Sequence, residues 1–106
     1  MQESKFNQLI DELLITIEDA IDESGEDIDY DTIAGILTLE FSDQSKIIIN
    51  RQAALNQLWI AARSGGFHLD YLDDGWFCKN QDCSLQTLLD RVCSDQTKSN
   101  VHLKLD

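Results

Sequence analysis

Proline is absent from the 106 residues, and cysteine is scarce. The three cysteines, Cys78, Cys83 and Cys93, are odd in number and form no CxxC pair, so we expect neither a disulfide framework nor a closed zinc site. We predict ordinary reduced thiols, with Cys93 in the core of a helix. Loops without proline lose more conformational entropy on folding, which indicates modest thermal stability.

Long apolar runs are missing as well. No stretch approaches about 18 consecutive apolar residues, so no membrane-spanning helix is predicted. The N-terminus lacks the basic flank and apolar run of a secretion signal, and we therefore expect a cytoplasmic protein. A length of 106 residues with 42% hydrophobic residues predicts one domain, residues 1–106, that has enough apolar surface for a core.

Positive charge is also sparse, with 8 basic residues against 20 acidic ones and a net charge of −12. This balance argues against nucleic acid and anionic membranes as partners, and it favours cations or basic protein surfaces. The charge is concentrated, because the first 31 residues hold 11 acids and one base, Lys5. The acids are Glu3, Asp11, Glu12, Glu18, Asp19, Asp22, Glu23, Glu26, Asp27, Asp29 and Asp31.

The same N-terminal stretch has the apolar period of an amphipathic helix, from Ser4 as the N-cap to a stop at Gly25. Its acids stand at i,i+4 spacing, as in Glu18/Asp22 and Asp19/Glu23, where like charges destabilise a helix by roughly a few tenths of a kcal/mol per pair. We therefore predict a rigid acidic ridge that attracts hard cations. The apolar stripe comprises Phe6, Leu9, Ile10, Leu13, Leu14, Ile17, Ala20 and Ile21.

Alternating and β-branched segments predict strands in the middle of the chain, at residues 37–41, 46–50, 57–61, 67–71 and 76–79. Turns are expected at 42–45, at Gly65-Gly66 and at Asp74-Gly75. A second helix begins after a cap at Ser84 or Asp82, and the tail 101–105 alternates as if it lay along the core. We predict an α+β two-layer sandwich, with N- and C-terminal helices packed on one face of an antiparallel β-sheet.

The other face of that sheet meets water, and strand parity predicts which side chains point to it. They are Asn50, Gln52, Gln57, Trp59 and His68. An exposed tryptophan among amides is typical of a protein-binding patch.

Three segments resemble the frataxin family, in its bacterial form: 45–52 (SKIIINRQ), 57–59 (QLW) and 64–70 (SGGFHLD). The acidic first helix with 16–19 (TIED) and the Trp76-Phe77 strand fit the same family, and the resemblance covers essentially the whole chain. One departure is Ala54, near which the family usually places a proline.

The resemblance implies a monomer with the frataxin-like fold and a role in iron–sulfur cluster assembly. The chain would act as an iron carrier, as a regulator of the complex of cysteine desulfurase and scaffold protein, or as both. Family members contact the desulfurase through the acidic ridge and the scaffold near the sheet tryptophan. Carried over by position, the metal-binding ridge is Glu18, Asp19, Asp22, Glu23, Asp27, Asp29 and Asp31, with Asp11 and Glu12 beside it. The partner-binding patch is Asn50, Arg51, Gln52 and Trp59, which Gln57 and His68 join by parity.

Carboxylates on one side of a helix leave most of a metal's coordination shell to water, and no histidine or cysteine stands among them. We therefore expect weak, exchangeable binding of Fe2+ or Fe3+, for which other divalent and trivalent cations compete. The chain has no nucleophile elbow, phosphate-binding loop or HExxH motif, so we do not expect an enzyme. Slow oxidation of ferrous iron at oxygen ligands needs no dedicated active site.

Three alternatives stay open at this point. The acids could form a solvated face that serves solubility, or the chain could inhibit a basic protein by mimicking a polyanion. It could also store iron by forming oligomers when iron is in excess. Whether the protein donates iron or slows the desulfurase is likewise open.

Overall fold

The computed structural model describes residues 1–73 and 75–105, which form two helices and seven strands with one short 3-10 helix. In chain order the elements are α1 (Glu3–Ser24), β1 (Ile28–Ile33), β2 (Ile36–Phe41), β3 (Lys46–Gln52), the 3-10 helix Ala53–Leu55, β4 (Gln57–Ala62), β5 (Gly65–Leu72), β6 (Gly75–Cys78), β7 (Cys83–Ser84) and α2 (Leu85–Thr97).

Helix α1 buries six residues of the predicted apolar stripe, and the other two, Leu9 and Leu13, are half-buried against the core. Ile15, which falls off that stripe, is 58% exposed. The helix ends at Gly25, whose φ of 71° is the left-handed conformation that glycine adopts without strain. The predicted N-cap is wrong: the helix begins one residue before Ser4, and Gln2 occupies the cap position without a side-chain hydrogen bond.

The sheet is antiparallel throughout, and its strands lie side by side in the order of the sequence, from β1 to β7. All five predicted strands are present. Strand β1 and the two-residue β7 were not predicted. Strands β1 and β2 are joined by Ala34-Gly35, both with positive φ, as a two-residue type I′ hairpin turn requires. Of the predicted Asp74-Gly75 turn, Asp74 lies outside the described residues, and Gly75 pairs with Leu72.

One face of the sheet packs against the two helices and forms the core, which confirms the predicted α+β two-layer sandwich. Trp76 belongs to this core at 8% exposure, and its ring meets those of Phe6 and Tyr71 edge to face. Ser84 caps α2 by accepting a hydrogen bond from the Thr87 amide, and Cys93 is buried on α2 as predicted. The inward side chains of the strands include Leu37, Leu39, Ile47, Ile49, Leu58, Ile60 and Leu69.

The C-terminal tail lies along the core beside α2, as its alternation predicts, with Val101 and Leu103 buried. Its backbone amides donate to side chains spaced four residues apart on the helix. Val101 donates to Ser94 Oγ at 2.9 Å, Leu103 to Asp90 Oδ1 at 2.9 Å and Leu105 to Gln86 Oε1 at 3.2 Å. Neither helix, over the part of the chain that the structure describes, has the length and apolarity to cross a membrane.

Candidate functional site

The nine carboxylates predicted to bind metal stand on α1, on the connection after it and on the edge strand β1, and we call the surface that they form the acidic edge. Six stand on α1, Asp27 lies in the connection after it, and Asp29 and Asp31 stand on β1, the first strand of the sheet. The set is Asp11, Glu12, Glu18, Asp19, Asp22, Glu23, Asp27, Asp29 and Asp31. The predicted ridge is therefore not confined to a helix, and its last two members belong to the sheet.

Two hydroxyl groups of β1 bind the carboxylates of α1. The Tyr30 hydroxyl donates to Asp22 Oδ2 at 2.8 Å, and Thr32 Oγ1 donates to Glu18 Oε2 at 2.5 Å. The bond to Asp22 raises the pKa of Tyr30, because losing the phenolic proton would lose the bond and set two anions side by side. These contacts join α1 to the edge strand and fix the orientation of both carboxylates.

Asp29 and Asp31 point to the opposite face of the sheet, because they alternate with Tyr30 and Thr32 along β1. Asp29 lies directly opposite Glu40 on β2, and Glu40 lies opposite Lys46 on β3. The acidic edge thus continues around β1 onto the open face. Glu40 was not predicted as a member, although its alternation with buried Leu39 and Phe41 indicates the direction of its side chain.

Few of the nine carboxylates are compensated within the described residues. Among the residues that the structure describes, Asp11 alone of the nine has an ion pair, with Arg51 Nη2 at 2.6 Å from Oδ1, while Glu12 accepts a hydrogen bond from Gln8. Five others have neither a hydrogen bond nor an ion pair to their side chains in residues 1–73 and 75–105: Asp19, Glu23, Asp27, Asp29 and Asp31. Their negative charge is directed to solvent.

The carboxylates do not form a ready-made metal cage. Within the described ranges no three His, Cys, Asp or Glu side chains gather closely enough to hold a metal ion. A cation at the acidic edge would therefore meet carboxylates that are spread along the surface. Such a surface acts mainly through its summed field.

The open face of the sheet brings together five of the six predicted partner-binding residues. Asn50, Trp59 and His68 stand opposite one another on β3, β4 and β5, and the Trp59 and His68 rings stack with centroids 4.2 Å apart and an interplanar angle of 11°. The Trp59 indole donates from Nε1 to Gln57 Oε1 at 2.9 Å, and Gln57 lies opposite Gln52. Trp59 is half-buried, so part of its ring remains available to a partner.

Arg51, the sixth predicted partner-binding residue, does not share that face. It alternates with Asn50 and Gln52 along β3, and it lies opposite the buried Leu58. Its guanidinium reaches α1, where it donates to Asn7 Oδ1 at 3.0 Å and to Asp11. The placement of Arg51 in the open-face patch is therefore wrong, because period-two alternation sends it to the helix layer.

The chain matches the model of the frataxin-like domain over residues 1–99. It is 48% identical over 93 residues to the iron–sulfur cluster assembly protein CyaY of Vibrio cholerae, covering 88% of this chain and 89% of that protein. It is 42% identical over 101 residues to CyaY of Vibrio vulnificus, covering 95% and 97% of the two chains.

Solved structures agree with this relationship. Frataxin from Psychromonas ingrahamii superposes with a TM-score of 0.90 at 39% identity, covering 100% of this chain and 99% of that one. The trimeric frataxin of Saccharomyces cerevisiae complexed with ferrous iron has a TM-score of 0.68 at 24% identity, covering 93% and 88% of the two chains, and that likeness concerns the fold alone. On sequence and on structure, the chain belongs to the frataxin family.

Proposed function

We propose that this protein binds iron weakly at its acidic edge and acts in iron–sulfur cluster assembly, as an iron carrier or as a regulator of the desulfurase–scaffold complex. One observation carries the proposal: five carboxylates without partners among the described residues lie together on one edge of a frataxin-family chain. Its CyaY relatives are named for iron–sulfur cluster assembly, which supports the assignment of the pathway.

Iron would bind first at the carboxylates that have no internal partner. Asp19 and Glu23 are i,i+4 neighbours on α1, and Asp27 follows in the connection to β1. Carboxylate oxygens suit Fe2+ and Fe3+ as hard ligands, and water completes the shell of a metal held from one side. Binding is therefore weak and exchangeable, and other divalent or trivalent cations compete with iron.

Glu18 and Asp22 play a different part in this scheme. Each already accepts a hydrogen bond from a hydroxyl of β1, which orients the carboxylate and occupies one of its oxygens. Each keeps a second oxygen for a cation, and the bound hydroxyl then acts as an outer-shell contact that holds the ligand in place.

The cysteine desulfurase would meet the same acidic edge through a basic surface. A single-sign field steers such a partner at long range, and salt weakens the encounter because the Debye length falls to about 8 Å near physiological ionic strength. Iron and the desulfurase then compete for one surface, and iron loading lowers the affinity of this protein for the enzyme.

The scaffold protein would dock on the open sheet face. The stacked rings of Trp59 and His68 provide a flat aromatic platform, and the amides of Asn50 and Gln52 beside it provide hydrogen-bonding groups. Aromatic anchors that are partly buried in the free protein are common centres of binding energy. The two partners would therefore contact different surfaces.

The protein itself would not be an enzyme. Exposed carboxylates lack the enclosed surroundings that tune an acid or base for catalysis. Because oxygen ligands favour Fe3+, dissolved dioxygen would oxidise bound Fe2+ by accepting its electron, without a dedicated active site.

NMR titration of the labelled protein with Fe2+ in the absence of oxygen tests the metal site. We expect shifted and broadened amides to concentrate between Asp11 and Asp31, and the double variant Asp19→Asn/Glu23→Gln to weaken binding several-fold. Asp82→Asn at the opposite side of the sheet is the matched control and should bind as the unaltered chain does. Shifts that are spread over the whole molecule would reject the assignment.

Cluster-assembly kinetics with purified desulfurase and scaffold test the role. The rate is measured at two iron levels, with and without this protein. We expect its effect on the rate to depend on iron and to be reduced in Asp19→Asn/Glu23→Gln. Trp59→Ala should reduce scaffold binding while leaving iron binding unchanged. An affinity for the desulfurase that saturating iron does not alter would contradict the competition.

A further inference from the structure

Two of the three cysteines stand opposite each other at the far edge of the sheet. Cys78 ends β6 and Cys83 begins β7, and the two are direct partners in the antiparallel register, on either side of the loop 79–82. Directly opposed residues share a face and have Cα atoms about 4.5–5.5 Å apart, within the range of about 4.4–6.8 Å that a disulfide spans. Both are free thiols in this structure.

The two thiols have different surroundings. Cys78 is fully buried, whereas Cys83 is half-buried and its Sγ accepts a hydrogen bond from Arg91 Nη2 at 3.2 Å. Arg91 is held in place by a second bond, from Nη1 to Gln81 Oε1 at 3.0 Å. The nucleophile in thiol–disulfide exchange must reach the oxidant, and Cys83 is the more exposed of the two sulfurs. Cys83 is therefore the thiol that meets an external oxidant first, with Cys78 next to it.

We propose that Cys78 and Cys83 form a redox-active pair that closes to an intramolecular disulfide on reaction with a low-molecular-weight disulfide such as oxidised glutathione. The Cys83 thiolate attacks one sulfur of the oxidant, whose S–S bond breaks and releases one thiol. The Cys78 thiol then loses its proton and attacks the Cys83 sulfur, which releases the second thiol. The two cysteines lose two electrons and two protons, and the oxidant takes up both.

Cys93 takes no part in this exchange. It lies in the core on α2, and burial raises its pKa to about 12, so it carries almost no thiolate near neutral pH. The reactive pair also lies across the sheet from β1, at the side away from the acidic edge. The proposal therefore does not depend on iron binding or on the proposed partners.

Peptide mapping after incubation in glutathione buffers of graded redox potential tests the pair on the unaltered chain. Trypsin cleaves after Lys79, between the two cysteines, so the disulfide would join peptide 64–79 to peptide 80–91. We expect this linked product, with loss of two hydrogen atoms from the intact chain and full reversal by excess dithiothreitol. The variant Cys93→Ser serves as the control and should give the same linked product.

Single variants test the order of reaction. Cys78→Ala should retain glutathione on Cys83 as a mixed disulfide, whereas Cys83→Ser should leave Cys78 unmodified in the folded chain. The proposal is overturned if the unaltered chain stays reduced, retains glutathione on Cys83, forms a covalent dimer or links Cys93. These outcomes are measured on the unaltered chain, so poor folding of a variant does not affect the test.

Discussion

Gln96 is a polar side chain in the core, at 2% exposure, and both its amide oxygen and its amide nitrogen have hydrogen-bond partners. Its Oε1 accepts from the Arg63 amide at 3.0 Å, and its Nε2 donates to Ser45 Oγ at 2.8 Å and to the Lys46 carbonyl at 3.3 Å. One residue near the end of α2 thus satisfies backbone groups in two separate sheet turns.

Replacing Gln96 by leucine should lower the free energy of unfolding by about 1–3 kcal/mol, because the backbone groups of Arg63 and Lys46 would lose a buried partner. Chemical denaturation measures the change. Gln8→Leu on the exposed side of α1 is the control, with an expected change within about 0.5 kcal/mol. Equal effects of the two variants would show that the Gln96 bonds contribute no net stability.

Asp43 gives a pH-dependent contribution at the β2–β3 turn. The Ser45 hydroxyl and amide, with Arg63 beside them, hold the pKa of Asp43 below its ordinary value of 3.8. A carboxyl whose pKa is lower in the folded than in the unfolded state stabilises the fold at pH values above its unfolded-state pKa. This stabilisation is lost as the pH falls through the folded-state pKa. Asp43→Asn should therefore lower Tm at neutral pH. The difference in Tm between the variant and the unaltered chain should shrink below about pH 3.8. A difference in Tm that does not depend on pH would contradict this prediction.

At the scale of the element, the hairpin between β1 and β2 contains a residue that its turn does not favour. Ala34 has a φ of 53°. Residues other than glycine and asparagine adopt this left-handed conformation at a conformational cost of roughly 1–2 kcal/mol. Gly35 follows with φ 77°, and a Cβ there would lie 3.3 Å from Arg51 Nη2. The turn therefore requires glycine at position 35, but it tolerates alanine at position 34 only at a cost.

Ala34→Asn should raise the free energy of unfolding by about 0.5–1 kcal/mol, because asparagine adopts positive φ more readily than alanine. Gly35→Ala should lower it, both through φ and through the approach to Arg51. Thermal denaturation of the two variants measures the changes. Opposite signs are expected, and a loss of stability in Ala34→Asn would mean that the turn geometry is misassigned.

The C-terminal tail acts as a further element that α2 holds against the core. Leu103→Ala should cost about 2–5 kcal/mol, as for other fully buried leucines, whereas exposed Lys104→Ala should change stability by less than about 0.5 kcal/mol. Denaturant titration of both variants measures the difference. Similar small values for the two would show that the tail is only loosely attached.

Some elements could be predicted from the sequence and others could not, for physical reasons. The stripe of α1 and the alternation of β3 and β4 predict packing correctly, because burial follows the period of each element. Strand β1 escaped detection since its acids mask the alternation of Ile28, Tyr30 and Thr32. The bonds of Gln96 could not be predicted, because its partners at 45, 46 and 63 are distant in sequence.

The residues of the candidate site likewise divide into those that could be placed from the sequence and those that could not. The acids of α1 could be placed from helical spacing, and Trp59 could be placed with Gln57 from strand parity. Arg51 was misplaced because the resemblance grouped it with Asn50 and Gln52, although parity separates it from both. The position of Glu40 opposite Asp29 and that of Cys78 opposite Cys83 depend on the strand register. Spacing along the chain does not specify this register.

At the scale of the whole molecule, a net charge of −12 that is concentrated at one edge opposes folding through self-repulsion. Tm should rise with added salt, and it should rise further with a divalent cation at equal ionic strength, because a bound cation stabilises the folded state by mass action. Differential scanning calorimetry measures both responses. The divalent response should be smaller in Asp19→Asn/Glu23→Gln than in Asp82→Asn, and a flat response would mean that the carboxylates do not interact.

Within residues 1–73 and 75–105, strand β1 pairs with β2 and with no other strand, so the backbone amides and carbonyls along its outer side are open to another chain. Natural proteins often protect such a strand with charge, because a second copy that adds its own strand must bring like charges into register. Asp29 and Asp31 provide that protection here. A cation that neutralises them would also remove the barrier to sheet extension between molecules, so two of the carboxylates that we propose to bind iron are also the ones that keep the chains apart.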